Sequence, residues 1–305
     1  MHSLMRKVIL TTAGNPSVTR LVSRYGLRLG ARRFVAGERW EQAVGQVQAL
    51  NERGILATLD YLGESVTDRT QALAARDTYL DLLDRIQASG VKANVSLKLT
   101  QMGLDLSTEF CLENVAAVVR RARERGNFVR IDMEDSARTD RTIEVFRALR
   151  ADFDNVGLVL QAYLYRSERD LRALADLHPN LRLCKGAYLE PRQVAFPRKA
   201  DVDDNFRKLI ALSLELGNKT AVATHDEKII AWTEGYVRER GIPPGLYEFQ
   251  MLFGIRSQLQ RELAEKGHTV RVYVPFGEQW YPYFTRRLAE RPANVLFLLA
   301  NFWRS

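Results

Sequence analysis

Eight short runs rich in β-branched and aromatic residues recur along the chain, each followed by a stretch with helical spacing, and this alternation constrains the fold more than any other feature. The runs are ILATLDYL (55–62), KANVSLKL (92–99), FVRIDM (128–133), GLVLQAYL (157–164), LRLCKGAY (181–188), AVATHD (221–226), YEFQMLF (247–253) and VRVYVPF (270–276). They are mostly apolar, as strands buried on both faces are. Between them, TDRTQALAARDTYLDLLDRIQASG (67–90) carries Leu73, Tyr79, Leu82, Leu83 and Ile86 on one stripe and ends at Gly90. Further helices are predicted over 110–126, 136–149, 168–177, 203–217, 227–241 and near 256–267, with the region from 279 onward closing the series.

Eight β-α alternations in roughly 250 residues predict a single (β/α)8 barrel of the TIM type. A doubly wound sheet is the competitor, but it usually announces a nucleotide-binding turn after its first strand. Neither G-x-G-x-x-G nor a Walker motif occurs. The expected organisation is a basic, helix-forming arm over 1–50 and a barrel domain over 51–305.

Bulk properties narrow the function less. With 305 residues, 46% hydrophobic and 27% charged, the chain can bury a large core. A net charge of +8 is compatible with nucleic acid, an anionic membrane or anionic ligands, but the basic residues form no tract. Nucleic-acid binding is not expected, because no basic-aromatic patch or known module occurs. Cys111 and Cys184, the two cysteines, make neither a disulfide framework nor a metal cluster, so a reducing cytoplasm is expected. The N-terminus has no long apolar core or cleavage site, and Val295–Trp303 is too short to span a bilayer, which takes roughly 20 residues. Peripheral contact with the inner face of the cell membrane stays open.

In a barrel, chemistry sits at the carboxyl ends of the strands. There the sequence places Glu64; Lys98; Arg130, Asp132, Glu134 and Asp135; Gln161 and Tyr163; Arg182, Lys185 and Tyr188; Thr224, His225 and Asp226; Glu248 and Gln250; and Tyr273. For any single residue a structural reading is as good: Asp132–Lys98 or Arg182–Glu134 could be ion pairs inside the barrel, and His225 a hydrogen-bonded loop histidine. Together they favour a site. Four histidines without ligand spacing argue against a metal. Nucleophilic catalysis lacks a G-x-S-x-G motif or a cysteine beside a base. A Schiff-base aldolase or lyase using Lys98 or Lys185 is the stronger rival.

Near the C-terminus, WYPYFTRRLAERP (280–292) puts Arg286 and Arg287 between apolar segments. Adjacent helical residues point about 100° apart, so two arginines can embrace one carboxylate with a bidentate geometry lysine cannot reproduce. Glu290, four residues on, can fix the direction of Arg286, and Pro292 should end the helix. VLFLLANFW (295–303) then packs on the barrel or touches lipid, with core packing favoured.

Taken in order, DYLGE (60–64), SLKLTQMGLDL (96–106), RIDMEDS (130–136), QAYLYRS (161–167), RLCKGAYLEP (182–191), ATHD (223–226), YEFQMLFGIR (247–256), RVYVPFG (271–277) and Y-x-x-R-R (283–287) resemble the FAD-dependent proline dehydrogenases, particularly the single-function bacterial kind. The resemblance implies a distorted barrel holding FAD at its carboxyl-end face, with the last barrel helix over the mouth. It also implies oxidation of L-proline to Δ1-pyrroline-5-carboxylate and electron delivery to a membrane quinone. By motif, Asp132 and Arg182 are the active-site residues, Lys98, Arg286 and Arg287 hold the substrate, and Tyr273 and Tyr188 shape its pocket. Met133, Gln161, Arg182, Lys185, Gly186, Ala187, Thr224 and His225 would contact FAD, and Glu64 would face the arginine pair as a gate. Cys184 replaces the small aliphatic residue common in relatives. No aldehyde dehydrogenase domain follows, so the second step is expected from a partner, a pyrroline-5-carboxylate dehydrogenase.

Overall fold

A computed structural model describes residues 31–63 and 66–290. After a short 3-10 turn at Ala31–Arg33 come α1 (Trp40–Asn51), β1 (Leu56–Tyr61), α2 (Arg69–Ser89), β2 (Ala93–Leu97), α3 (Thr108–Glu124), β3 (Val129–Ile131) and α4 (Thr139–Asp152). There follow β4 (Val156–Gln161), α5 (Ser167–Ala173), β5 (Asn180–Cys184), α6 (Lys199–Glu215), β6 (Lys219–Ala223), α7 (Glu227–Glu239), β7 (Tyr247–Leu252), α8 (Ser257–Glu265), β8 (Val270–Phe276) and α9 (Trp280–Glu290). The strands close in sequence order, all parallel, with β8 returning to β1. This is the TIM-type (β/α)8 barrel that the alternation predicts.

Helix ends follow their local chemistry. The Asp68 carboxylate accepts from Gln71 N at 2.9 Å at the start of α2, and Ser107 does the same for Phe110 N at the start of α3. Gly90 closes α2 at φ 68°, a conformation that penalises any side chain with a Cβ.

Along each strand, alternate residues serve two different layers. Leu59, Val95, Leu97, Ile131, Leu158, Leu160, Leu181, Leu183, Phe249, Val272 and Val274 belong to the apolar layer they share with helix residues such as Tyr79, Val118, Phe146 and Leu209. The alternate positions Thr58, Asp60, Ser96, Arg130, Arg182, Glu248 and Gln250 are polar and buried, and Arg271 is half-buried. The strands are therefore less uniformly apolar than their composition suggests. Strand register carries this pattern from strand to strand: Asp60 pairs with Ser96 and Ser96 with Arg130, while Arg182 pairs with Ala221 and Ala221 with Glu248.

Arg130 fills much of this interior. It donates to Leu158 O at 3.1 Å and to the carbonyl and side-chain oxygens of Asn180. Gly157 makes room for it, since a Cβ there would lie 2.5 Å from the guanidinium. Burial, helped by Arg182, pulls the pKa of Arg130 down to about 9.

The expected 1–50 arm lies mostly outside the described residues. Its described end is packed on the barrel: Ala43, Val47 and Leu50 of α1 join the main core, and Asn51 Oδ1 accepts from Lys92 N at 2.7 Å. A second cluster joins Ala31, Phe34, Val35 and Leu62 to Trp280, Tyr283 and Phe284 of α9. Backbone bonds from Ala36 N to Pro275 O and from Gly277 N to Gly37 O pin the same segment beside β8.

Candidate active site

The carboxyl ends of the strands open into a cavity of about 830 Å³. That is within the roughly 300–1,000 Å³ of small-molecule and cofactor sites. Thirteen expected site residues line it: Lys98, Asp132, Met133, Gln161, Arg182, Lys185, Gly186, Ala187, Tyr188, Thr224, His225, Tyr273 and Arg287. Glu64 and the side chain of Arg286 lie outside the described residues, as do Pro292 and the VLFLLANFW stretch.

The floor is a buried charge cluster. Asp132 Oδ1 receives Arg182 Nη1 at 2.7 Å and Ser96 Oγ at 2.5 Å, and its Oδ2 receives the Tyr273 hydroxyl at 3.0 Å. Lys98 Nζ stands 3.3 Å from Asp60 Oδ2, 3.5 Å from Asp132 Oδ2 and 3.4 Å from the Tyr273 hydroxyl. Lys98 and Arg182 are each 7% exposed and Asp60 is 0% exposed. Burial works against the Asp132 carboxylate, yet Lys98 and Arg182 outweigh it and hold the group below the usual carboxylate range. For Asp60 burial wins, with help from the negative Asp132, and its pKa is raised. Burial and the two acids push the Tyr273 hydroxyl well up, so it stays a neutral donor.

Arg182 has Asp132 as its carboxylate partner, whereas Glu134 accepts from Thr100 N at 3.0 Å and Thr100 Oγ1 at 2.6 Å. Behind Arg182 a polar chain fixes the guanidinium plane. Its Nε donates to Gln250 Oε1, Gln250 Nε2 donates to Glu248, and Arg271 Nε donates to Glu248 at 2.9 Å. Arg182 Cζ also lies 5.3 Å from the Tyr273 ring centroid.

On the cavity wall, β5 stops at Cys184, four residues short of the predicted run. The cause is Gly186, at φ 114°, where a Cβ would sit 2.3 Å from the Tyr163 ring. This bend lets Arg182 and Lys185, three apart, both face the cavity. Lys185 Nζ is held by Asp203 Oδ1 at 2.5 Å and Asp226 Oδ2 at 2.8 Å. Burial opposes the Asp226 carboxylate, but its bond to Lys185 brings the pKa down to about 2. His225 Nε2 accepts from Leu252 N at 3.0 Å, which leaves a neutral ring its proton on Nδ1. Arg287 lies over Tyr283, its Cζ 5.2 Å from the ring centroid. The Cys184 thiol, at the cavity edge, is raised to about 11 by burial and is an unreactive wall residue.

Sequence reasoning left Asp60, Ser96, Asp203 and the supporting role of Gln250 without a function. Asp60 stood in plain view at the start of DYLGE. A polar residue at an alternate position of an otherwise apolar strand was the available signal.

Residues 43–299 match the family model described as proline dehydrogenase. The chain belongs to the proline dehydrogenase family. It is 47% identical to proline dehydrogenase 1 of Bacillus subtilis strain 168, over 97% of this chain and 98% of that protein. It is 46% identical to the proline dehydrogenase of Deinococcus radiodurans, over 98% of both. Among solved structures, proline utilization A of Bdellovibrio bacteriovorus inactivated by N-propargylglycine superposes with a TM-score of 0.82 at 24% identity. That match covers 93% of this chain and 36% of the other, and it speaks to the fold alone. Among the described residues of this proline dehydrogenase family member, no helix is long and apolar enough to cross a membrane. No cluster of acidic, histidine or cysteine side chains suits a metal ion there either.

Proposed function

We propose that the protein oxidises L-proline to Δ1-pyrroline-5-carboxylate on bound FAD, the first step of proline catabolism, with a membrane quinone taking the electrons onward. The observation that carries this reading is the Arg182–Asp132–Lys98–Tyr273 cluster on the floor of a cofactor-sized cavity, in a chain of this family. A cytoplasmic protein visiting the membrane surface, and a separate pyrroline-5-carboxylate dehydrogenase, complete the picture.

The cavity suits a large anionic cofactor. Seven lysines and arginines line it, among them Lys185, Lys199, Lys228 and Arg256, against three acids, Asp132, Asp226 and Glu227; the backbone of Gly186 and Ala187 offers a surface without bulky side chains, and Met133, Gln161, Thr224 and His225 also line it. When bound there, FAD supplies the hydride acceptor and stores both electrons. Arg182, fixed by Asp132 and Gln250, presents positive charge where negative charge grows during hydride arrival. Arg286, Arg287 and Lys98 clamp the proline carboxylate and so orient the reacting ring C–H, which is a large share of what such a site can supply. Tyr188 and Tyr273 shape the ring pocket, and Glu64 acts as the gate to the arginine pair.

The Schiff-base alternative is disfavoured because Lys98 and Lys185 are each engaged by two aspartates, and attack on a carbonyl would first have to break those pairs. Arg287→Met tests the clamp. It should raise KM for proline about 10- to 100-fold, the equivalent of the roughly 1.5–3 kcal/mol of a charge-assisted hydrogen bond, while FAD content stays unchanged. Equal loss of FAD would assign the arginine to the cofactor instead.

A further inference from the structure

Asp60 has no task in the reaction as described. It sits one residue from the end of β1, fully buried, directly behind Lys98. Its Oδ2 is 3.3 Å from Lys98 Nζ, while its Oδ1 is buried with no hydrogen-bond partner. The charged and titratable groups around it are Lys98 beyond β2, Asp132 beyond β3, Tyr273 on β8 and Tyr79 on α2, with Arg182 of β5 behind Asp132. A carboxylate with a bare oxygen in an apolar interior is poorly stabilised as an anion. Asp132 differs, because Ser96 and Arg182 both donate to it and commit it to the charged state, whereas the Tyr273 hydroxyl is shared between the two acids.

Two carboxylates therefore share one ammonium, and only Lys98 among Lys98 and Asp60 lines the cavity. L-Proline arrives with a protonated ring nitrogen, which must become neutral before the neighbouring C–H can leave as hydride. We propose that Asp60 stores that proton by way of Lys98: the lysine passes one proton to Asp60 and takes its replacement from the substrate nitrogen. One N–H bond of the substrate breaks and one O–H bond forms at Asp60, while Lys98 ends as it began. The substrate nitrogen goes from +1 to neutral, Asp60 from −1 to neutral, and no electrons move. The proton returns to solvent when product leaves. Asp60 is thus a positioning residue for a proton, acting through Lys98. The upward pull of burial on its pKa is consistent with that task. The inference rests on the proline-oxidising reading.

The test mixes FAD-loaded protein anaerobically with L-proline in weak buffer containing a pH-indicator dye, following dye and flavin together. Flavin bleaching should precede any proton release, which follows with product departure. A proton appearing in solution before bleaching overturns the proposal, and a flavin that never bleaches overturns the proline reading itself. Infrared difference spectra of the proline-reduced protein should show a protonated-carboxyl band that Asp60→Asn removes; persistence of the band in that variant contradicts the assignment. In Asp60→Asn, kcat/KM should climb about tenfold per pH unit across the neutral and mildly alkaline range, where the wild type is flatter. A uniform loss at every pH would make Asp60 merely structural. Should that variant fail to fold, the order of proton release and bleaching in the wild type decides.

Discussion

Asp132→Asn isolates the electrostatic core of the site. The substitution keeps the size of the side chain but removes the negative charge facing Arg182 at 2.7 Å and Lys98 at 3.5 Å, both nearly sealed from water. Lys98 keeps Asp60, whereas Arg182 keeps the neutral Gln250. Removing one partner of a buried pair costs about 3–5 kcal/mol, because the remaining charge stays desolvated. At roughly 2.1 cal/mol/K per residue, a chain of 305 residues loses about 1.5 °C of Tm per kcal/mol, so a fall of about 5–8 °C is expected at neutral pH. The pH dependence has a defined sign. The folded pKa of Asp132 lies below its unfolded value, so its contribution is complete above about pH 4 and disappears as pH falls through the folded pKa. The gap between wild type and variant should therefore close in acid. Calorimetry of FAD-loaded wild type, Asp132→Asn, Arg182→Met and the double variant checks the cause, with a coupling of about 1–3 kcal/mol expected, the double variant losing less than the sum. A Tm within about 2 °C of wild type, or strict additivity, would refute the argument.

Three further outcomes follow from neighbouring features. Gly186→Ala forces a Cβ toward the Tyr163 ring at a φ of 114° and should cost about 1–3 kcal/mol and much of the bound FAD, measured by flavin absorbance per protein. Phe34→Ala, which empties a 2% exposed position packed on Phe284, should lower stability by about 3–5 kcal/mol and raise KM for proline more than it lowers kcat, because α9 loses its support. Gln250→Leu should leave Arg182 its carboxylate but free its Nε, shifting the flavin midpoint potential downward; an unchanged potential would show that Asp132 alone fixes the guanidinium.

The fold was legible because eight strand-helix alternations leave few closed solutions, and the strands fall where the apolar runs do. The residues that line the cavity were legible, but not their pairing. Lys98, Asp132 and Arg182 are marked by being charged on strands, yet whether Arg182 meets Asp132 or Glu134 depends on register and rotamer. Strand ends were overrun most at β4, β5 and β6, where AYL, KGAY and THD read as continued strand; at β5 the turn at Gly186 against Tyr163 shows only in the structure. Asp60 was hidden inside a motif that drew attention to its last residue. Its bare oxygen and its contact with Lys98 arise only when β1 and β2 lie side by side with Asp60 beside Ser96.

The central claim is that this cavity holds FAD and that L-proline reduces it. Anaerobic titration of the FAD-reconstituted protein with L-proline, followed at the flavin absorption bands, tests it directly. The account predicts bleaching that saturates with proline and one Δ1-pyrroline-5-carboxylate per flavin; a protein that binds no FAD, or whose flavin stays oxidised at saturating proline, would contradict it.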